Sequence, residues 1–275
     1  MNILLIVSAL RVAVVGDAGN TTRYALTVAP AILALRPLPD IYLSLGDWTA
    51  HGAPQEWPNV NSVNSIFAHL GVPIISSSGN HDLENRKAYQ QNVWVEPHRS
   101  YYIGTDVAFH CMDYTQPIAD RVAWATETLI RDSIAGVRVI LFASHGPPVT
   151  TAQGSADDSL FRIYIVPILE RFNAAYGNVV AGFFGHIHGY EHSKLPYVKS
   201  SGDTAYLHIY TVGTAGSTLY SNTQWLPAQS WTVYRESRFF GYLLVDIAGD
   251  TLQTTFVRAD GGNQLDKTTL VGNSR

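Results

Sequence analysis

The sequence predicts an α/β fold, on two observations. Short apolar runs that read as buried strands alternate with amphipathic stretches at helical spacing, and from Ala205 onward the signal turns to strands alone. In chain order the first part reads RVAVVGD, TRYALTVAPAILALRP, DIYLSLGD, PQEWPNVNSVNSIFAHLG and VPIISSSGNHD, a βαβαβ beginning. SYYIG and VAFHCMDYT form a predicted hairpin, because Gly104, Thr105 and Asp106 separate two alternating runs. A helix follows over ADRVAWATETLIRDSIAG, with Gly136 as its C-terminal stop, and then the strand VRVILFASH. DDSLFRIYIVPILERFNAAYG reads as helix and NVVAGFFGH as strand. The late strands AYLHIYTVG, FFGYLLVDIAG and TLQTTFVRA form a second sheet or extend the first, and residues 217 to 237 are too polar and irregular for an element, so they are predicted as one long loop.

At 275 residues with 46% apolar composition the chain can bury a sizeable core, and without a repeat or a low-complexity linker it is expected to be a single domain. A formal charge of −4 leaves no basic surplus for neutralising the phosphates of a nucleic acid, so no nucleic-acid partner is expected. The single cysteine, Cys111, excludes an intramolecular disulfide and a cysteine-based zinc site. The apolar start MNILLIVSAL is far shorter than the ~20 residues of a membrane span. It lacks a basic leader and is read as an uncleaved extension of the first strand, although Val7-Ser8-Ala9 would suit cleavage of an export signal; the compartment stays undecided between cytoplasm and export.

Polar residues collect just beyond the apolar runs. Asp17, Asp47, Asn80 with His81, His145, and His186 with His188 each follow a different predicted strand. In open α/β sheets ligands bind beyond the carboxyl ends of the strands, so five strands deliver these groups to one rim. A Gly-Asp after a strand is by itself more often a turn, and a lone His145 more often a loop histidine. His186 and His188 carry more weight, since residues i and i+2 of an extended chain face the same side. Together the five strand ends predict a metal centre. Imidazole, carboxylate and amide donors without thiolate suit zinc, manganese or iron, and a carboxylate such as Asp47 can bridge two cations.

These residues resemble the motifs of the calcineurin-like metallophosphoesterases, and most closely those of the purple acid phosphatases. Gly16-Asp17-Ala18-Gly19, Gly46-Asp47, Gly79-Asn80-His81-Asp82, His145 in FASHGPP and Gly185-His186-Ile187-His188 look like the five motifs in order, over roughly residues 11 to 260. The resemblance implies a two-sheet β-sandwich flanked by helices, in four α/β/β/α layers. It implies two divalent or trivalent metal ions (Fe, Mn or Zn), one held by Asp17, Asp47 and His188 and the other by Asp47, Asn80, His145 and His186. It implies hydrolysis of phosphate monoesters of small substrates by a metal-bound hydroxide, with His81 as the acid and Asp82 orienting it. Tyr190 and His192, just after the fifth motif, are expected to line the substrate pocket.

The sequence departs from the pattern at one metal. The tyrosine that purple acid phosphatases carry three residues after the second aspartate is Ala50 here, and the histidine that related phosphoesterases carry two residues after the first is Gly19. Water, Asn20 or His51 would fill the gap; otherwise His51 is a rim histidine that contacts substrate phosphate or solvent. Trp48, Trp57, Trp94 and Trp124 read as packing aromatics, whereas Trp225, Trp231 and Tyr234 either cover the site or meet a second subunit. The rival readings are a phosphodiesterase for cyclic nucleotides or other small diesters, and a metal-binding protein whose catalysis has decayed.

Overall fold

The computed structural model describes residues 9–19, 21–93, 96–153, 157–199 and 201–272, so the expectations placed on residues 1 to 8, Asn20 and Trp94 lie outside the described residues. Strands β1 (Leu10–Val15), β2 (Ile41–Ser44) and β3 (Ile74–Ser76) run parallel, joined through helical segments, as the βαβαβ reading predicts. The hairpin comprises β4 (His98–Ile103) and β5 (Val107–Met112). Strands β6 (Val139–Ala143) and β7 (Val179–Phe184) follow in parallel with β5. The later strands are β8 (Tyr190–Val198), β9 (Thr204–Val212), β10 (Thr232–Glu236), β11 (Gly241–Ala248), β12 (Thr251–Arg258) and β13 (Gln264–Val271).

Two mixed sheets result, one of six strands in the order β13-β12-β11-β1-β2-β3 and one of seven in the order β10-β8-β9-β7-β6-β5-β4. They stack face to face, with helices on both outer faces. Strand periodicity explains why the runs are apolar throughout: Val12 and Val14 of β1 point into the core between the sheets, while Ala13 and Val15 point outward under helices. In β6, Val139, Leu141 and Ala143 face inward and Ile140 and Phe142 outward. Trp57, Val60 and Phe67 of the helix Trp57–His69 cover the first sheet. The second is covered by Leu129 from the helix Ile118–Ala135 and by Leu169 and Phe172 from Val166–Tyr176. Trp48 and Trp57 are core residues and Trp124, on the helix Ile118–Ala135, packs against Phe142 of the second sheet, as expected. Among the described residues no helix is long and apolar enough to cross a membrane.

Two helices widen where proline enters. The first reads Thr21–Arg23, a π-turn over Tyr24–Val28, and Ala29–Leu33; the second has its π-turn at Phe161–Ile165, ahead of Val166–Tyr176. Pro30 and Pro167 lack an N–H and press on the carbonyl four residues back, and the amides just before them, Ala29 and Val166, reach back five residues to Tyr24 and Phe161.

The late strands differ from expectation. β9 joins the second sheet beside β7, whereas β11 and β12 extend the first. β8, β13 and β10 are further strands, and residues 217 to 237 are therefore not one loop: they contain a 3₁₀ turn at Asn222–Gln224 and β10, which pairs with β8. β8 and β13 were hidden because Tyr190-Glu191-His192-Ser193 and Asp266-Lys267-Thr268-Thr269 put polar residues where a strand pattern wants apolar ones.

Candidate metal centre

The parallel strands β1, β2, β3, β6 and β7 end at the same rim, and the segments after them carry Asp17, Asp47, Asn80, His145 and His186. Asp17, Asp47 and His186 have positive φ, at 61°, 53° and 70°, a conformation that non-glycine residues rarely adopt. Each turns its chain sharply back over the strand end. The approach is close: Asp17 N donates to Gly46 O at 3.0 Å, and Gly46, at φ 91°, packs so that a Cβ there would lie 2.4 Å from Gly79 N.

One ligand atom each from Asp17, Asp47 and His145 falls within a mutual 4.8 Å, all three residues buried. Asp17 Oδ2 accepts the His186 amide at 2.8 Å, and its Oδ1 faces His188 Nε2 at 3.6 Å. Asp47 Oδ1 accepts the His81 amide at 3.0 Å. His145 Nδ1 donates to Leu45 O at 2.7 Å, which leaves Nε2 bare, 3.2 Å from Asp47 Oδ2 but not aligned for a hydrogen bond. His188 Nδ1 is likewise tied to Thr218 O at 3.0 Å. His186 Nδ1 meets Asn80 Oδ1 at 3.0 Å. The histidines are thus oriented through one nitrogen by backbone or amide oxygens, the arrangement that fixes ring and tautomer in metal ligands.

Among the described residues Asp17 Oδ1 and His145 Nε2 are buried without a hydrogen-bond partner. A buried charge left this way costs several kcal/mol, so bare donor atoms converging in one place fit cations. In the metal-free protein the electrostatics put protons where the cations would sit. Burial raises the Asp17 carboxyl to about 8, helped by the Asp47 charge. Burial also opposes charge on Asp47 and His145, but their mutual attraction prevails: Asp47 stays below the ordinary carboxylate range, and His145 rises to about 10. Burial lowers His186 to about 4 and also lowers His188, which keeps both imidazoles neutral and free to ligate.

Beside these donors an open cleft of about 560 Å3 is lined by Gly19, Ala50, His51, Glu56, His81, His188 and neighbouring hydroxyl and amide residues. His81 and His51 stand there edge to face, ring centroids 6.2 Å apart. His51 groups with His81 and Glu84 rather than with Asp17 and Asp47, so the structure gives no support to it as the missing ligand.

Three expectations require correction. Asp82 does not orient His81: fully buried, it accepts from Thr49 N, Thr49 Oγ1 and Gly79 N, each at 3.2 Å, and so ties two loops together. Tyr190 and His192 do not line the cleft. Both are fully buried on the inner face of β8, where Tyr190 stacks on Phe256 and both side chains meet Asp266 of the opposite sheet. The strand that begins at Tyr190 turns this i, i+2 pair inward, away from the rim. In the aromatic loop Tyr234 packs against Tyr190, and Trp225 bonds to Ser237 and meets Tyr220, whose ring lies 5.6 Å from that of His188.

Two residues escaped sequence reasoning. Glu84 Oε1 accepts from His81 Nδ1 at 2.7 Å, a contact that the i, i+3 spacing of His81 and Glu84 within one turn could have suggested. Tyr114 sets its ring 5.6 Å from that of His145 and 6.4 Å from that of His186. It follows β5, and the rule that found the other strand ends applies to it equally.

The chain matches the calcineurin-like phosphoesterase family over residues 10–190 and the C-terminal region of iron/zinc purple acid phosphatase-like proteins over residues 205–267. No curated protein sequence matches it. Among solved structures it is similar to the purple acid phosphatase PPD1 from yellow lupin (Lupinus luteus) seeds, with a TM-score of 0.72 at 17% identity, covering 96% of this chain and 54% of that one. The chain thus spans about half the length of the lupin protein. GAP50, the anchor in the inner membrane complex of Plasmodium, gives 0.69 at 15% identity over 98% of this chain and 90% of that one. PhoD gives 0.63 at 12% identity over 96% and 69%. At these identities the structural likenesses establish the two-sheet, helix-flanked fold. By the motifs at the strand ends and the match across residues 10–190, the chain belongs to the metal-dependent calcineurin-like phosphoesterases, with a purple acid phosphatase-like C-terminal region.

Proposed function

We propose that the chain is a phosphatase that hydrolyses monoesters of small phosphorylated substrates at a centre for two metal ions, drawn from Fe, Mn and Zn. The observation that carries this reading is the convergence of two buried carboxylates, Asp17 and Asp47, with His145, where Asp17 Oδ1 and His145 Nε2 have no hydrogen-bond partner. Asp17, Asp47 and His188 would hold one ion, and Asp47, Asn80, His145 and His186 the other. Two such cations supply Lewis-acid charge against the phosphoryl oxygens and lower the pKa of water.

The chain's own residues do the rest. No lysine or arginine is among the described residues lining the cleft, so the substrate's negative charge is met by the centre and by His51 and His81. Glu84 holds His81 through Nδ1, which leaves Nε2 as the nitrogen that donates a proton to the departing oxygen, a step worth ~10² to 10⁴ in rate. Burial of Asp17, Asp47 and His145 keeps bulk water from screening the ligands. The GAP50 likeness shows that this fold also occurs in an anchor, so the fold alone does not decide for catalysis; the bare donors below a histidine-lined cleft are what favour it here.

The test is chelator-stripped protein reconstituted separately with Mn²⁺, Zn²⁺ and Fe²⁺ and assayed on p-nitrophenyl phosphate and its bis ester. Faster turnover of the monoester supports the proposal. Preference for the bis ester would make the chain a diesterase, and bound metal with no turnover of either would make it a binder.

A further inference from the structure

The rim of the cleft carries a second group of donors. His51, His81 and Glu84 each offer one ligand atom within a mutual 4.8 Å, separate from the buried trio of Asp17, Asp47 and His145. We infer that these three residues form an accessory zinc site, and that a cation seated there takes His81 from its catalytic task. The second part rests on the proposed role of His81; the first does not.

Two imidazoles and a carboxylate on an open surface leave a fourth position for water, the donor set and openness that suit zinc. The cluster is also built on a fixed frame. His51 leaves β2 on the loop after Asp47, whereas His81 and Glu84 lie one turn apart beyond β3, and the buried Asp82 carboxylate binds the two segments together through Thr49 and Gly79. Thr49 Oγ1 in turn accepts from Gly52 N at 3.1 Å, and Glu56 Oε2 accepts the amides of His51 and Ala53 at 3.1 Å. Gly52, at φ 62°, sits so close to the other segment that a Cβ would lie 2.7 Å from His81 O. The backbones under the three ligands are therefore locked in register, and only side-chain torsions need adjust to close around an ion. Preorganisation of this kind lowers the entropy lost on binding.

Without an ion the strongest contact in the group is the 2.7 Å bond from His81 Nδ1 to Glu84 Oε1. A cation among the three donors lies where that shared proton lies now. Coordination of His81 and Glu84 to one ion replaces their mutual hydrogen bond and re-aims the His81 ring, so zinc in excess of the catalytic ions acts as an inhibitor.

Equilibrium dialysis of the chelator-stripped protein against buffered zinc, with elemental analysis, tests the site independently of turnover. The wild type is expected to take up three zinc ions per chain, and His51→Ala and Glu84→Gln two each, with near-UV circular dichroism unchanged because both side chains are exposed. A wild type that saturates at two, or a third ion retained by both variants, overturns the inference. A wild type that binds one ion and loses it in both variants would uphold the rim site and sink the buried pair instead, so the two claims fail separately.

Discussion

Asp82→Asn separates a scaffold role for Asp82 from a catalytic one. All three groups that meet its carboxylate are donors: Thr49 N and Thr49 Oγ1 on Oδ1, and Gly79 N on Oδ2. The two backbone amides, Thr49 N and Gly79 N, cannot reverse to accept. An amide in this place keeps one oxygen and turns its NH₂ toward a donor, so one buried bond is lost at least. Leaving a buried backbone N–H unpaired costs about 1–3 kcal/mol. For 275 residues the unfolding entropy is about 0.6 kcal/mol per degree, so Tm is expected to fall by about 2–5 °C. Thermal unfolding followed by circular dichroism on matched metal-loaded samples reads this directly. In parallel, the imidazole ¹⁵N resonances of His81 should keep their positions in Asp82→Asn and move in Glu84→Gln, because Nδ1 bonds to Glu84. An unchanged Tm, or a shifted His81 in Asp82→Asn with none in Glu84→Gln, would refute the geometric argument.

Other substitutions probe the centre. His81→Ala should retain both metals and lose ~10² to 10⁴ in kcat on p-nitrophenyl phosphate, and full turnover would remove His81 from the mechanism. Asp47→Ala should lose metal and turnover together by elemental analysis and assay, since that carboxylate serves both ions. Gly79→Ala sets a methyl 2.0 Å from Asp47 Oδ1 and 2.3 Å from Asp47 N, so it should weaken metal retention and destabilise the fold by about 1–3 kcal/mol in denaturant unfolding. The metal-free protein should lose stability as pH rises from 6.5 to 8. Asp17, raised to about 8, and His145, raised to about 10, both bind protons more tightly folded than unfolded, so each contributes stability at low pH that is lost as pH climbs toward its folded value. Thermal melts across that window should slope downward without metal and flatten with it.

The course of the chain to the rim was legible because it obeys simple periodicity. Strands buried on both faces must be apolar throughout, as in VAVV and VILFA, and the first polar residue after each marks where it emerges. Asp17, Asp47, Asn80, His145 and His186 were found in this way. The same reasoning failed where spacing was extended past a change of structure. Tyr190 and His192 continue GHIHG in sequence, but β8 starts at Tyr190, and the pleat sends both side chains into the core against Asp266. A polar ladder between two sheets has no sequence signature, because its partner lies 74 residues away from His192. Asp82 was misread for a related reason: adjacency to His81 suggested contact, whereas on a helical turn i and i+1 point apart and the reachable partner is Glu84 at i+3.

The strained residues argue for the metal reading from a separate direction. Asp17, Asp47 and His186 hold positive φ at about 1–3 kcal/mol each, so the rim stores about 3–9 kcal/mol, a large share of the 5–15 kcal/mol by which a folded domain is ordinarily stable. Each follows a glycine, Gly16, Gly46 or Gly185, so the backbone is thinned just where the next residue must turn back on itself. A turn that served packing alone would gain from placing the glycine one position later, at the strained site, where positive φ costs it little. Here the strained position carries instead a side chain with a donor atom. Geometry of this kind stabilises nothing until something occupies the space it encloses. The bare Asp17 Oδ1 and His145 Nε2, converging beside Asp47, make a set of oxygen and imidazole donors that a metal ion fits once their protons are released.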